Sequence, residues 1–444
     1  MSRICLMINS RWQLITTMAL VLLAEPAVVS AEPFDADLAW RNFDRLFAEE
    51  QYREAADSAK LLISSLLKNP DYDRLKYAEA LTQLATAQQG REGFESAREN
   101  FLLAIDVIEN EGDRLNSSLI APLLGLSQNY VSTGQYQDGV KSYKRTLHTY
   151  QVNTGLYGEG KEDIVAELSE VYFMLGNFSQ ANAMQDSYVA MVYRAHPGID
   201  LAQLPSLYSR AAMLSRTGSY LSALRSYRRI ISLIERAEGG RSLSLIPALT
   251  AISGLLADHD ILDGENGFDK ARRYMRRAVH IAENSEDAGP IIKADAHIRM
   301  GDFLSTRSPD RTSMLRSYRY AWVELSKDEQ YHERREKMFA RPLLLNHIPA
   351  GSSPAMIALL ENASDPNTTK NGVNVVRYDI NEYGRPVNVR MVESVPAKYH
   401  DYIVMNHVQS FAFRPHLIDG EPVISRDMSF DIHFSYQDSD IPEM

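Results

Sequence analysis

Cysteine is nearly missing: among 444 residues only Cys5 carries a thiol. It precedes the one apolar stretch near the start, where no lipoprotein attachment would place it. That stretch, residues 14–24 (LITTMALVLLA), follows Arg3 and Arg11 and is broken at Glu25 and Pro26. A bilayer span needs about 20 apolar residues, so the run is too short. With small residues at Val29-Ser30-Ala31 it reads as a cleaved export signal covering residues 1–31. Removal takes away Arg3, Arg11 and Glu25, a net single positive charge, leaving a mature chain near −12 from −11. That chain would hold no cysteine, which excludes disulfides, thiol catalysis and cysteine-bound metal. The expected location is the periplasm; the alternative is an uncleaved anchor in the inner membrane, facing the periplasm. No later run is long and apolar enough to span a membrane.

An excess of positive charge is also lacking, so no general footprint for nucleic acid exists. Arginine concentrates locally, with seven against two glutamates over residues 210–241, followed by Arg272, Arg273, Arg276 and Arg277. A solvated outer face accounts for this, with contact to an anionic envelope partner as the sharper alternative. Catalytic motifs are wanting too. Residues 155–161 (GLYGEGK) approach a phosphate loop, but Glu162 stands where a magnesium-binding hydroxyl belongs, and no strand precedes it. There is no Gly-x-Ser-x-Gly elbow and no His-Glu-x-x-His zinc motif. His400 and His407, seven apart, could share a helix face and read as surface residues. No cofactor, metal or enzymatic activity is called for. An enzyme acting on envelope polymers stays open only if folding gathers acidic or histidine side chains.

What is present is a beat of 42 residues. Aromatic residues recur at Tyr52, Phe94, Tyr136, Phe178 and Tyr220, each followed three positions on by Ala55, Ala97, Gly139, Ala181 or Ala223. Gly134, Gly176 and Gly218 stand two positions before the later three. Leu126 with Tyr130, and Leu168 with Tyr172, lie one turn apart on a helix face. The spacing predicts a first helix ended by glycine in a left-handed backbone, then a second helix opened by the aromatic residue. The small residue lets the two approach, and Ala97, Phe101 and Ala104 form the buried stripe of one second helix. A sixth copy follows an insertion near residues 262–267 (Phe268, Ala271, Ala278), and a degenerate seventh runs over about residues 291–325. One hairpin cannot cover its own apolar faces, so neighbours must stack.

These marks (Leu126-Ser127, Tyr130, Gly134, Tyr136, Gly139, Tyr143, and again Leu168-Ser169, Tyr172, Gly176, Phe178, Ala181) resemble the tetratricopeptide repeat, with the longer period of kinesin light chains in place of 34. The resemblance implies an α-solenoid of about seven hairpins over residues 36–330. It also implies a groove lined by the first helices that holds a protein or peptide. The Lys and Asn with which some members clamp a peptide carboxylate are replaced here by Thr82 and Thr86, Leu124 and Gln128, Ala166 and Glu170, and Tyr208 and Ala212. That clamp is absent and the groove is mixed in character.

Beyond residue 336 the period changes. Residues 331–372 read as linker and domain entry, rich in turn formers from 349 on. Residues 373–380 and 386–393 alternate as strands around the turn Asn381-Glu382-Tyr383-Gly384; residues 398–410 suit a helix, and 428–436 a last strand. The expectation is a small α+β domain, β-β-α-β, over 373–436, with a tail to 444. Asp379-Ile380, Gly384, Ser394-Val395-Pro396, Phe411-Ala412-Phe413-Arg414-Pro415 and Gly420-Glu421-Pro422-Val423 resemble the C-terminal domain of TonB proteins, with Phe411 in place of the usual Trp. Arg341-Pro342-Leu343 and Ile348-Pro349 match the segment leading into that domain.

The resemblance implies strand addition: an edge strand recruits an extended motif from an outer-membrane TonB-dependent transporter. The residues expected to do so are Met428, Ser429, Phe430, Asp431, Ile432, His433 and Phe434. The competing readings are that this strand closes its own sheet or pairs in a dimer. TonB itself has a membrane helix and a Pro-rich spacer; here a cleavable segment and a folded array replace them. The chain therefore reads as a periplasmic scaffold or adaptor in outer-membrane transport or envelope assembly, with an anchored energy transducer as the alternative.

Overall fold

The computed structural model describes residues 36–112, 114–155, 160–258, 267–308, 310–346 and 370–436. The expected export signal over residues 1–31, most of residues 349–372, the insertion near 262–266 and the tail lie outside them, as do residues 156–159 of the phosphate-loop-like stretch. The chain divides into two compact units, residues 1–114 and 115–444.

The first unit holds two hairpins: α1 (Ala36–Ala48) with α2 (Tyr52–Leu66), and α3 (Arg74–Gly90) with α4 (Phe94–Asn110). Its core is alanine-rich, with Ala55, Ala56, Ala59 and Ala87 buried beside Phe43 and Leu84. Small side chains allow close helix approach; a Cβ on Gly90 would lie 2.7 Å from the Tyr52 ring.

The second unit continues with α5 (Ile120–Ser132) and α6 (Tyr136–Thr154), α7 (Glu162–Met174) and α8 (Phe178–Ala195), and α9 (Leu204–Arg216) and α10 (Tyr220–Glu238). The sixth and seventh hairpins are α11 (Leu245–Asp258) with α12 (Gly267–Asn284), and α13 (Pro290–Arg307) with α14 (Arg311–Glu324). The fold is mostly α, tetratricopeptide-type hairpins, followed by a small module that contains the strands.

Each expected glycine closes its first helix. Gly134, Gly176 and Gly218 have φ of 74°, 70° and 75°. The next amide reaches back to the carbonyl of Tyr130, Tyr172 or Leu214 at 2.7, 2.9 and 2.8 Å, while the glycine amide bonds Val131, Phe173 or Ser215. This is the Schellman cap, which satisfies carbonyls the helix leaves orphaned. The first two copies build the same cap without glycine. Glu50 and Glu92 stand at the left-handed position, φ 58° and 61°, with Gln51 and Gly93 amides returning to Leu46 and Gln88. A side chain there costs about 1–2 kcal/mol, so Glu92→Gly should stabilise the chain by about 0.5–1 kcal/mol after glycine's own entropy is counted. A urea-midpoint shift of opposite sign would contradict this account.

After α15 (His332–Phe339) come β1 (Leu343–Leu344), β2 (Lys370–Ile380) and β3 (Pro386–Val395). Then come α16 (Asp401–Gln409), β4 (Phe413–Arg414), β5 (His416–Ile418), β6 (Glu421–Val423) and β7 (Ser425–Tyr436). The main sheet is antiparallel in the order β3-β2-β7. Gly372, Asn374, Val376, Tyr378 and Ile380 of β2 face inward at period two, and Val404 and Val408 of α16 cover that face with Phe411 and Phe434.

The β-β-α-β order is present as β2, β3, α16 and β7, and two short ribbons are added to it, β1 with β4 and β5 with β6. The expected helix over residues 398–410 starts only at Asp401, because Lys398 and His400 have left-handed backbones, φ 64° and 65°. His407 is not a surface residue. It is buried, its ring 4.9 Å from Phe411 and 5.8 Å from Phe430. The sheet's interior also holds a polar node: Asn374 Nδ2 donates to Ser394 Oγ, the Tyr399 carbonyl and Asp401 Oδ1, tying β2 and β3 to the start of α16.

The module is docked on the seventh hairpin. Leu417 of β5 and Phe339 of α15 join the core built by α9 to α14. Arg414 forks onto Asp302 of α13, Nε to Oδ1 at 3.0 Å and Nη2 to Oδ2 at 2.8 Å. Arg385 bridges the carbonyls of Ser305 and Phe411. Covering the last hairpin this way removes the apolar end that a stacked array otherwise exposes.

Candidate functional site

Three surfaces have the geometry to receive a partner. The first is the outer margin of β7, which carries Met428, Ser429, Phe430, Asp431, Ile432, His433 and Phe434. On its inner margin β7 pairs with β2 without interruption, from Tyr436 opposite Lys370 to Met428 opposite Tyr378. No strand pairs with its outer margin among the described residues. Ile432 and Phe434 point into the core, whereas Ser429, Asp431 and His433 are exposed. This regular stretch, at about 3.3 Å per residue, presents roughly 30 Å of backbone, half of whose N–H and C=O groups lack a ladder partner. The opposite margin, β3, is less regular: its register against β2 shifts twice, and Asn388 has φ 54°. It offers a poorer template.

The second surface is the face of the first helices. In the first unit Thr82 and Thr86 spend their hydroxyls on the carbonyls of Ala78 and Thr82, both at 2.8 Å. In the second unit α5, α7 and α9 present Leu124 and Gln128, Ala166 and Glu170, and Tyr208 and Ala212. Gln128 donates to Glu167, which also accepts from Tyr143 Oη at 2.7 Å. Burial, reinforced by that carboxylate, raises the Tyr143 hydroxyl far above its ordinary range. Glu170 takes Arg216 at 2.7 Å, and the guanidinium lies over the Phe173 ring. In the second unit these polar groups bridge neighbouring helices, and the Glu170–Arg216 pair stays part-exposed, so the face is mixed in character.

The third surface has no counterpart among the sequence motifs. A cavity of about 760 Å³ opens where α11 and α13 meet the C-terminal module. Its walls include Phe303 and Met275 together with Asp258, Arg299, Arg307 and Arg385. Arg299 and Arg385 stand far apart in the chain, so no local motif announces the site; only the docking of the module assembles it.

Nothing among the described residues gathers three or more histidine, cysteine, aspartate or glutamate side chains that could hold a metal. His297 and Glu283 form a 3.0 Å pair packed on Tyr320, and burial lowers the His297 pKa. Lys161, the lysine of the phosphate-loop-like stretch, is buried and donates to the Gly155 carbonyl at 3.4 Å. No helix among the described residues is long and apolar enough to cross a membrane.

No family model and no curated protein matches this chain. Solved structures do. A kinesin light chain with nearly identical tetratricopeptide-like repeats from Podosopora anserina is 17% identical, covering 46% of this chain and 94% of its own, with a TM-score of 0.40. The C-terminal part of a repeat protein of the same type from Cytophaga hutchinsonii is 12% identical over 66% of this chain and 98% of its own, TM-score 0.45. A signal-transduction ATPase with a tetratricopeptide repeat sensor from Pyrococcus horikoshii is 14% identical over 68% and 44%, TM-score 0.47. The tetratricopeptide-type fold is carried by the hairpins and their caps.

Proposed function

We propose that this protein is an exported scaffold of the cell envelope. Its helical hairpins hold one protein partner, and its C-terminal module recruits an extended segment of another onto β7. The observation that carries the reading is the long, regular outer margin of β7, with Ser429, Asp431 and His433 exposed beside it. Unpaired backbone groups supply affinity in such an addition, and alternate side chains supply selectivity. The order β-β-α-β with the last strand at a sheet margin, the Gly384 turn and the Phe411-Ala412-Phe413-Arg414-Pro415 run support a TonB-like module. An outer-membrane transporter is the partner that likeness suggests. The extensive docking of the module on the last hairpin favours an adaptor over a freely extended lever.

A photo-crosslinker placed at Ser429 or His433 in intact cells tests the proposal. Capture of an envelope protein through a short extended segment is the expected result. Crosslinks only to a second copy, or none at all, would overturn strand recruitment.

A further inference from the structure

The charge in the cavity beside α13 does not balance internally. Asp302 is neutralised by the Arg414 fork and Asp258 by Arg307. Arg299 is exposed on α13 and has no carboxylate partner among the described residues. Arg385 spends two nitrogens on neutral carbonyls, of Ser305 and Phe411, and its buried Nε has no partner among the described residues. Burial and nearby Arg311 both weigh against its positive charge. Arg311 in turn keeps a buried, unpartnered Nη1. Two guanidinium groups without counter-charge thus border an open space of about 760 Å³, with Phe303 as an apolar wall. Holding the Arg385 guanidinium partly out of water without an anion is costly. Arg299 stands exposed and without a carboxylate at the same opening, and a planar guanidinium fork matches a carboxylate.

We infer that this cavity binds an acidic peptide segment, with carboxylates paired to Arg299 and Arg385 and an apolar side chain against Phe303. The volume lies in the range of sites that enclose an organic ligand and far exceeds what a lone inorganic ion fills. The inference goes beyond strand recruitment at β7 and does not depend on it, because the site is built from other elements.

The test is fluorescence anisotropy of a short dye-labelled oligo-glutamate peptide carrying one phenylalanine, titrated with the full chain. Saturable binding is expected, weakened by raised salt and about tenfold weaker in Arg299→Glu. Arg299→Lys should retain most of it. Arg299 is exposed, so melting temperatures of the variants should match the parent. Arg385→Gln is a second variant, read against the same melting control because Arg385 also braces two carbonyls. Equal binding by Arg299→Glu would overturn the inference. Complete displacement by an equal concentration of inorganic phosphate would also overturn it, showing a small-anion site. The β7 crosslinks are read separately, so either proposal fails without the other.

Discussion

Arg414→Ala should cost the second unit about 3 kcal/mol, the lower end of the loss expected when a buried ion pair is deprived of one partner. The Arg414 side chain is only 6% exposed and Asp302 26%. The fork is bidentate, Nη1 also reaches the Met338 carbonyl at 3.3 Å, and Tyr318 Oη donates to Asp302 Oδ1, the oxygen that Arg414 Nε also holds, at 2.9 Å. Truncation would leave the Asp302 carboxylate with the Tyr318 hydroxyl alone and would open space beside Tyr318, whose ring packs against Phe339. Partial exposure lets water reach Asp302 and moderates the loss.

The double variant Arg414→Met with Asp302→Leu separates the causes. Removing both charges together should recover most of the stability, because the penalty arises from the stranded carboxylate. Denaturant unfolding with limited proteolysis checks both. The single variant should release the C-terminal module to protease before the hairpins unfold. A loss below about 1 kcal/mol would mean that the fork does not hold the module in place.

Much of this architecture is legible in the order of residues, because repeats write the same local physics several times. The aromatic positions Tyr52, Phe94, Tyr136, Phe178 and Tyr220 each open a second helix as the 42-residue beat requires. Glycine caps at three copies point to the left-handed turn. At Glu50 and Glu92 the backbone takes that conformation against local preference, because neighbouring packing and the two cap bonds outweigh it. The C-terminal strands are readable from their alternation, but Asn374 breaks the apolar pattern and is still fully buried. Its partners, Ser394, Tyr399 and Asp401, come from elsewhere in the fold. His407 defeats a surface reading for the same reason: two ring neighbours, Phe411 and Phe430, bury it from outside its own helix. The β7 margin is legible as a strand late in the chain. The cavity is not, since it requires α13 and the Arg385 turn to meet.

That turn carries the other large expected effect. Gly384→Ala should destabilise the chain by more than about 3 kcal/mol, from two separable causes. Gly384 has φ 72°, which costs an alanine about 1 kcal/mol by itself. An added Cβ would also stand 2.0 Å from the Phe413 carbonyl oxygen, a backbone atom that cannot swing aside. The Phe413 amide bonds the Gly384 carbonyl at 2.9 Å, so relieving the clash breaks that bond. It also shifts Arg385 away from the carbonyls of Ser305 and Phe411, loosening the module from α13. Gly134→Ala isolates the first cause, because φ there is 74° and nothing lies within 4 Å of the added carbon. It should cost only about 1 kcal/mol. The difference between the two measures the close approach of the β2–β3 turn to β4. If β7 recruits a partner through a sheet that must stay docked and ordered, crosslinking from Ser429 should fall sharply in Gly384→Ala and persist in Gly134→Ala. Equal crosslinking in both would mean that the strand works without the anchorage the fold provides.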